Sequence, residues 1–334
     1  MARPFIASLA RNTGFDPAAI ELTRLPRKQW GSGDFVVVRV LSTHTTGGRI
    51  ESVDGRMIEV LEDDLVLGAL GKRHATLEVT GDWEKIGEDG VMQALTSACV
   101  LGRCTSISRL LPPPLDLGYE GHVLAGSEPA RMSDYAIAPQ ARELKAPVIL
   151  LIGTSMDAGK TASARTIVRR LARRGLKVGG AKLTGVGRYR DILAMRDAGA
   201  EPILDFVDAG LPSTACPRPL FERALGLLTS GLAAAEVDVV VAEAGASPLE
   251  PYNGAAAIEA LAPVTALTVL CASDPYSVVG VMEAFGMRPD LIAGRCTSTL
   301  AGVELAERLT GITALNLIDP DSVPRLDEIL DELT

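Results

Sequence analysis

Two kinds of hydrophobic pattern divide the chain near residue 145. Before it, short apolar runs alternate with polar positions over residues 34–41, 49–53 and 56–60, separated by Gly47-Gly48 and Asp54-Gly55. An Asp-Gly pair between two alternating runs predicts a β-hairpin, because the tight turn needs positive φ at its central positions. Runs over residues 64–70 and 75–80, with turn residues Gly81-Asp82 and Glu88-Asp89-Gly90, extend this β-rich region. Pro112-Pro113-Pro114 excludes a continuous helix or central strand there, and the chain up to about residue 145 is expected to be an irregular connector.

Beyond that point the pattern becomes strand, helix, strand, helix. Residues 147–152 form an uninterrupted apolar run, as a parallel strand buried on both faces requires. Ala164, Ile167, Val168 and Leu171 recur at i, i+3, i+4 and i+7, predicting a helix from about residue 160 to 174 that stops at Gly175. Residues 177–181, 237–242 and 266–271 repeat the buried-strand pattern, and 256–261 and 302–309 read as covering helices. The predicted class is α/β: a doubly wound, mostly parallel sheet over residues 145–334, preceded by a smaller β-rich domain with its connector over 1–144.

Composition narrows the partners. A chain of 334 residues that is 47% hydrophobic can fill two cores. With 33 basic against 42 acidic residues the net charge is −9, which offers no global attraction to nucleic acid or anionic lipid. Residues 1–7 open no long apolar run, and the least polar stretch, residues 264–272, is far short of the roughly 20 a membrane helix needs. A soluble cytoplasmic protein with neither nucleic acid nor membrane as partner is expected. The five cysteines are scattered without a Cys-x-x-Cys pair, and His44, His74 and His122 form no metal-type cluster. This predicts reduced thiols, no structural zinc and few bases for a Ser-His-Asp triad.

The strongest chemical signal lies between the 147–152 strand and the first helix: Gly153-Thr154-Ser155-Met156-Asp157-Ala158-Gly159-Lys160-Thr161. In a strand–loop–helix context, successive backbone N–H groups and the helix N-terminus converge on an anion. Gly153, Thr154, Ser155, Asp157, Ala158, Gly159, Lys160, Thr161 and Ala162 are accordingly expected to hold a nucleotide. Gly159 permits close approach, Lys160 can reach the β- and γ-phosphates, and the Thr161 hydroxyl can ligate Mg²⁺. Asp157 reads either as a group orienting substrate or water, or as a loop-closing hydrogen-bond acceptor.

Glu243 ends a predicted buried strand on the edge where open α/β sheets bind ligands, so its charge calls for a metal ion or a lysine. Lys182 ends another strand beside glycines and reads as a second phosphate or substrate cation. Arg188, Tyr189 and Arg190, with Asp191, read as a carboxylate clamp or as a solvated helix start. Asp205 and Asp208 fall in a turn before Gly210, the second as a cap. Arg165, Arg169, Arg170, Arg173, Arg174 and Lys177 are read as a solvated basic face. Lys72-Arg73-His74 is read as a surface hairpin, with contact to an anionic substrate as the alternative. Glu250-Pro251-Tyr252-Asn253 and Asp274-Pro275-Tyr276 follow strand ends and are candidates for substrate or base contact.

The form Gly-Thr-x-x-x-x-Gly-Lys-Thr resembles the loop of dethiobiotin synthetase and its relatives, the branch that includes the cobyrinate amidases and MinD-type ATPases. Ala181-Lys182-Leu183-Thr184-Gly185 is similar to the segment that carries a second catalytic lysine in dethiobiotin synthetase. Glu243-Ala244-Gly245-Ala246-Ser247 is similar to the segment whose glutamate binds Mg²⁺ there. About residues 147–318 also resemble a largely uncharacterised family that includes D-glutamate N-acetyltransferase. In that family a second block looks like Thr184-Gly185-Val186-Gly187, a helix, and then Asp205-Phe206-Val207.

These resemblances imply catalytic roles for Lys160, Lys182 and Glu243, Mg²⁺ on Thr161 and Glu243, and substrate contacts from Thr184, Gly185, Arg188 and Asp205. They imply ATP and Mg²⁺ as cofactors, a small carboxylate or amine as substrate, a ligase- or kinase-type reaction, and a homodimer. The alternatives are an N-acyltransferase using acetyl-coenzyme A and a nucleotide-dependent switch ATPase or GTPase. Ser155 stands where dethiobiotin synthetase has Asp and where MinD-type proteins have their signature lysine, a departure from both patterns. Gly294-Arg295-Cys296 stands where relatives read adenine from an Asn-containing strand end.

Overall fold

A computed structural model describes residues 3–42 and 48–333; His44 and Gly47, read above from sequence, lie outside the described residues. The chain forms two compact units. The first comprises Met1–Ile137, Val186–Arg190 and Phe206–Ala215; the second comprises Ala138–Gly185, Asp191–Asp205 and Cys216–Thr334.

The first unit is built from short strands: β1 (Phe5–Ile6), β2 (Leu22–Thr23), β3 (Phe35–Ser42), β4 (Gly48–Glu51), β5 (Met57–Val60) and β6 (Leu65–Leu70). They are followed by β7 (Lys72–His74), β8 (Val79–Asp82), β9 (Val91–Ala94), β10 (Val100–Ile107), β11 (Asp116–Ala125) and β12 (Glu128–Pro129). The Asp54-Gly55 hairpin forms as expected, pairing Glu51 with Met57 and Ile50 with Ile58 across β4 and β5. The main sheet runs β1-β6-β3-β11-β9-β10-β8-β7, and a further β6–β10 pairing closes its middle into a ring. Val36, Val38, Val40, Val66, Leu70, Met92, Leu101 and Leu117 fill the core of this unit.

The expected irregular connector is corrected in part by this topology. The stretches around Pro112–Pro114 and over residues 136–147 carry no helix or strand, as expected, whereas β11, between them, lies between β3 and β9 in the sheet. Its strand signal is obscured because two register shifts, at Asp116/Leu117 and Tyr119/Gly121, break the two-residue alternation. The strand expected over residues 75–80 instead spans β8, with a turn over 75–78.

The second unit is the α/β sheet that the pattern predicts. Its elements are β13 (Val148–Gly153), α1 (Lys160–Arg173), β14 (Val178–Thr184), α2 (Tyr189–Ala198, whose first two residues belong to the first unit), β15 (Ile203–Asp205), α3 (Arg218–Ala234) and β16 (Val239–Ala244). They continue with α4 (Gly254–Leu261), β17 (Thr265–Cys271), α5 (Pro275–Phe285), β18 (Leu291–Ala293), α6 (Leu300–Thr310) and α7 (Val323–Asp331). The strand order β15-β14-β16-β13-β17-β18 is parallel throughout. Every residue of β13 is buried, which explains its unbroken apolar run. The chain moves from β13 past β16 to β14 and later returns to β17, so the C-terminal end of β13 is the crevice where such sheets bind ligands.

Residues 218–234 have no sequence assignment above, yet they form α3, which buries Phe221, Ala224, Leu225, Leu228 and Leu232. Those spacings, and prolines at the helix start, were the available signal. The basic face of α1 is only partly solvated: Arg170 and Arg174 both bind Asp327 of α7, a helix the pattern reading did not include. Among the described residues no helix is long and apolar enough to cross a membrane.

Candidate phosphate-binding site

In the second unit, the loop after β13 folds around its lysine. Lys160 is 2% exposed, and its Nζ donates to the Ser155 carbonyl at 2.6 Å. A Cβ at Gly153 would collide with the Lys160 side chain, so glycine is required there for the loop to close over it. Gly159 precedes α1 with φ +96°, and a Cβ on it would come within 3.0 Å of Gly294 Cα. The loop is fastened from the β17–β18 side. Thr154 N donates to the Cys271 carbonyl at 3.0 Å, Thr154 Oγ1 accepts from Ser273 N at 3.2 Å, and Arg295 N donates to the Ala158 carbonyl at 3.1 Å. The Thr154 hydroxyl therefore serves as an anchor, while Ala162 is exposed on the first turn of α1.

On the other side of the loop, the sheet register aligns the charges. Asp205 pairs with Lys182, Lys182 with Glu243, and Glu243 with Leu151, so three charged residues of adjacent strands stand at one level near the sheet's C-terminal edge. Neighbouring in-register side chains share a face. Thr161 Oγ1 donates to Glu243 at 3.2 Å. Lys182 Nζ donates to Asp191 Oδ2 at 2.6 Å. The stem of Lys182 passes beside two glycines: Cβ atoms on Gly245 and Gly185 would lie 3.2 and 3.7 Å from its Cε.

The electrostatics follow from burial and partners. Burial pushes the Lys160 ammonium below its ordinary range, with Glu243 pulling the other way. Burial also works against the charge on Lys182, but Asp191 and Glu243 overcome it and push that group up. The difference is one of partners, since Lys182 has a carboxylate in direct contact and Lys160 has a carbonyl. Burial pushes the Glu243 carboxyl up, with Lys160 opposing, and Asp191 adds to the rise.

The donor set fits Mg²⁺. The Thr161 hydroxyl and the Glu243 carboxylate are hard oxygen donors in contact, and Asp191 is close enough to perturb Glu243. No group of three or more His, Cys, Asp or Glu suited to a metal occurs among the described residues, so the protein would supply few ligands and leave the rest to water and phosphate. Ser155 Oγ and Thr184 Oγ1 are buried with no hydrogen-bond partner among the described residues, which leaves hydroxyls for a ligand beside the loop and at the end of β14. Asp191 is the residue the motif reading undervalued: only the fold shows it holding Lys182.

The remaining candidates are distributed as follows. Thr184, Gly185 and Asp205 belong to the second unit, whereas Arg188 is grouped with the first. In that first unit the amides of Tyr189 and Arg190 donate to Glu51 at 3.0 and 2.7 Å, and Arg11 lies 4.5 Å over the Tyr189 ring. The helix-start position read as a carboxylate clamp thus holds the chain's own carboxylate. Asp208 binds Arg11 at 2.7 Å. Lys72 pairs with Asp82 and Glu84 in the β7–β8 hairpin. Asp274 caps α5, Glu250 accepts from Ser247 N, and Tyr252 is fully buried, whereas the Tyr276 ring is exposed. All five cysteines are free, and burial pushes Cys271 and Cys99 up to about 12, so neither is a ready nucleophile.

No protein-family model matches the chain, and no curated protein matches it at a significant level. Among solved structures, it is similar to chloroplast FtsY from Physcomitrella patens, at 14% identity and a TM-score of 0.37, over 55% of this chain and 62% of that one. It is similar to a DUF1611 family protein from Anabaena variabilis at 14% identity and a TM-score of 0.39, over 56% and 58%. A third likeness is to the signal recognition particle 54 kDa protein from Aeropyrum pernix in complex with GDP, at 16% identity and a TM-score of 0.33, over 57% and 49%. Each match spans less than two thirds of the other chain. With TM-scores under 0.5 these likenesses carry no argument, and the site is read from its own residues.

Proposed function

We propose that this chain is an enzyme that binds ATP and Mg²⁺ at the loop after β13 and uses them to phosphorylate, or to activate for amine attack, a small carboxylate- or amine-bearing metabolite. One observation carries the reading: two buried lysines, Lys160 and Lys182, stand on either side of buried Glu243 at the C-terminal edge of one parallel sheet. Lys160 and the loop amides hold the β- and γ-phosphates. Thr161 and Glu243, with Asp191 beside them, hold Mg²⁺, which supplies charge neutralisation on the phosphates when bound. Lys182, kept charged by Asp191, faces the acceptor side and steadies negative charge between the transferred phosphoryl group and the acceptor oxygen. A switch ATPase has no need of this second buried cation. The similarity of the three motifs to those of dethiobiotin synthetase supports the same reading.

The test is a thermal-shift panel of ATP, GTP, ADP and acetyl-coenzyme A, each with and without Mg²⁺, followed by ADP release against a panel of amino, hydroxy and dicarboxylic acids. A ligand at 100 times its Kd stabilises the native state by about 2.7 kcal/mol. Mg-ATP is expected to raise Tm, Lys160→Ala to abolish that rise, and ADP release to depend on one class of acceptor. Stabilisation by acetyl-coenzyme A alone, with coenzyme A released and no ATP consumed, would replace the proposal with acyl transfer. ATP turnover indifferent to any acceptor would replace it with a switch.

A further inference from the structure

Asp157 is the only acidic side chain in the segment from Gly153 to Lys160, and a carboxylate there opposes the anion that such a loop gathers. Among the described residues the fold pairs it with one cation. Arg295, 138 residues away in sequence, pairs with Asp157 through its guanidinium. Its backbone is held against the loop independently of that contact, since Arg295 N donates to the Ala158 carbonyl at 3.1 Å and Gly294 packs on Gly159. The pair is open to water, with Arg295 62% and Asp157 73% exposed. An ion pair this exposed contributes little to folding, so its place on the phosphate loop needs another account.

Resting on the phosphate-loop reading above, we propose that Arg295 sets nucleotide affinity by neutralising Asp157. Arg295 is thus a positioning residue for charge: it cancels a repulsion between the loop and the polyphosphate. The sheet order gives the arrangement its logic, because β14 and β16 supply Lys182 and Glu243 on one side of β13 while the β17 and β18 connectors close the loop on the other. Phosphate charge is then balanced from both sides of the loop.

The experiment is a double-mutant cycle on the full chain, reading Mg-ATP affinity by calorimetric titration at low and high salt. Arg295→Ala should weaken binding about two- to fivefold at low salt, the scale of one exposed charge interaction, and much less at about 1 M salt, where the Debye length falls to about 3 Å. Asp157→Asn, which leaves the Arg295 charge unopposed beside the loop, should bind more tightly than the parent, and adding Asp157→Asn to Arg295→Ala should restore affinity. Unchanged affinity in Arg295→Ala overturns the proposal. So does failure of Asp157→Asn to restore it, since Arg295 would then contact the nucleotide directly or act only as a strap. Lys160→Ala run alongside keeps the two claims apart: undiminished binding there removes the phosphate-loop reading itself.

Discussion

Gly294 offers the sharpest test of how the loop is held. Its φ of +92° and ψ of −152° lie in a region essentially restricted to glycine, and it connects the end of β18 to the phosphate loop. A Cβ there would meet Ala272 N at 3.0 Å and Cys271 Cα at 3.2 Å, and would press closer still on the Ala158 carbonyl oxygen. All three obstacles are backbone atoms, so no side-chain rotation relieves them. Holding alanine in that conformation costs about 1–3 kcal/mol. Overpacking adds about 1–3 kcal/mol more, so Gly294→Ala should destabilise by roughly 2–6 kcal/mol.

Gly286 serves as an internal control. It ends α5 with φ +67° and has nothing within 4 Å of a built Cβ, so Gly286→Ala should cost only about 1–2 kcal/mol. Among the described residues all the α-helices begin at or after Lys160, so thermal unfolding followed by helical circular dichroism reports mainly the unit that carries both glycines. For a unit of this size each kcal/mol moves Tm by about 2–4 °C, so Gly294→Ala should fall about 4–24 °C below the parent, against about 2–8 °C for Gly286→Ala. Displacing the Ala158 carbonyl should also weaken Mg-ATP binding at least tenfold, an order-of-magnitude expectation for a misplaced binding loop. Equal losses in the two variants, or undisturbed nucleotide binding in Gly294→Ala, would refute the argument that this connector shapes the loop.

Lys182→Met should keep the nucleotide-dependent rise in Tm while lowering acceptor-dependent ADP release by about a hundredfold or more, and equal loss of both would remove its acceptor-side role. Glu243→Gln should retain some ATP affinity but lose its Mg²⁺ dependence, as titration with and without EDTA would show. The same variant carries a pH signature. Because burial raises the Glu243 carboxyl above its ordinary 4.5, ionising it disfavours the folded state from that pH upward through the raised value. The stability of Glu243→Gln relative to the parent should therefore grow across that window, and an identical gap in urea unfolding at acid and neutral pH would contradict it. Glu51→Ala should destabilise the first unit by about 2–4 kcal/mol by stranding the amides of Tyr189 and Arg190, measured by the shift in urea midpoint.

Local chemistry in the sequence sufficed for the parts that need only neighbours. The apolar run of β13, the glycine-lysine-threonine turn after it and the 3.6-residue stripe of α1 lie within one strand–loop–helix segment, so pattern and spacing disclosed them together. The Asp54-Gly55 hairpin was legible for the same reason. Where the backbone departs from regular period the pattern is lost: β11 reads as connector in the sequence because its bulges change which face each residue presents.

The site's electrostatics were settled by the tertiary structure. Lys182, Glu243 and Asp205 were each suspect by type, but only the parallel register puts them side by side. Glu51 fills the helix start at Tyr189, and Arg295 answers Asp157, each across 138 residues of chain. A buried or ligand-facing charge must find a partner, but its cost depends on solvent exclusion and distance rather than on sequence separation. The residue types that can carry charge are therefore written in the sequence, and the fold decides which of them meet.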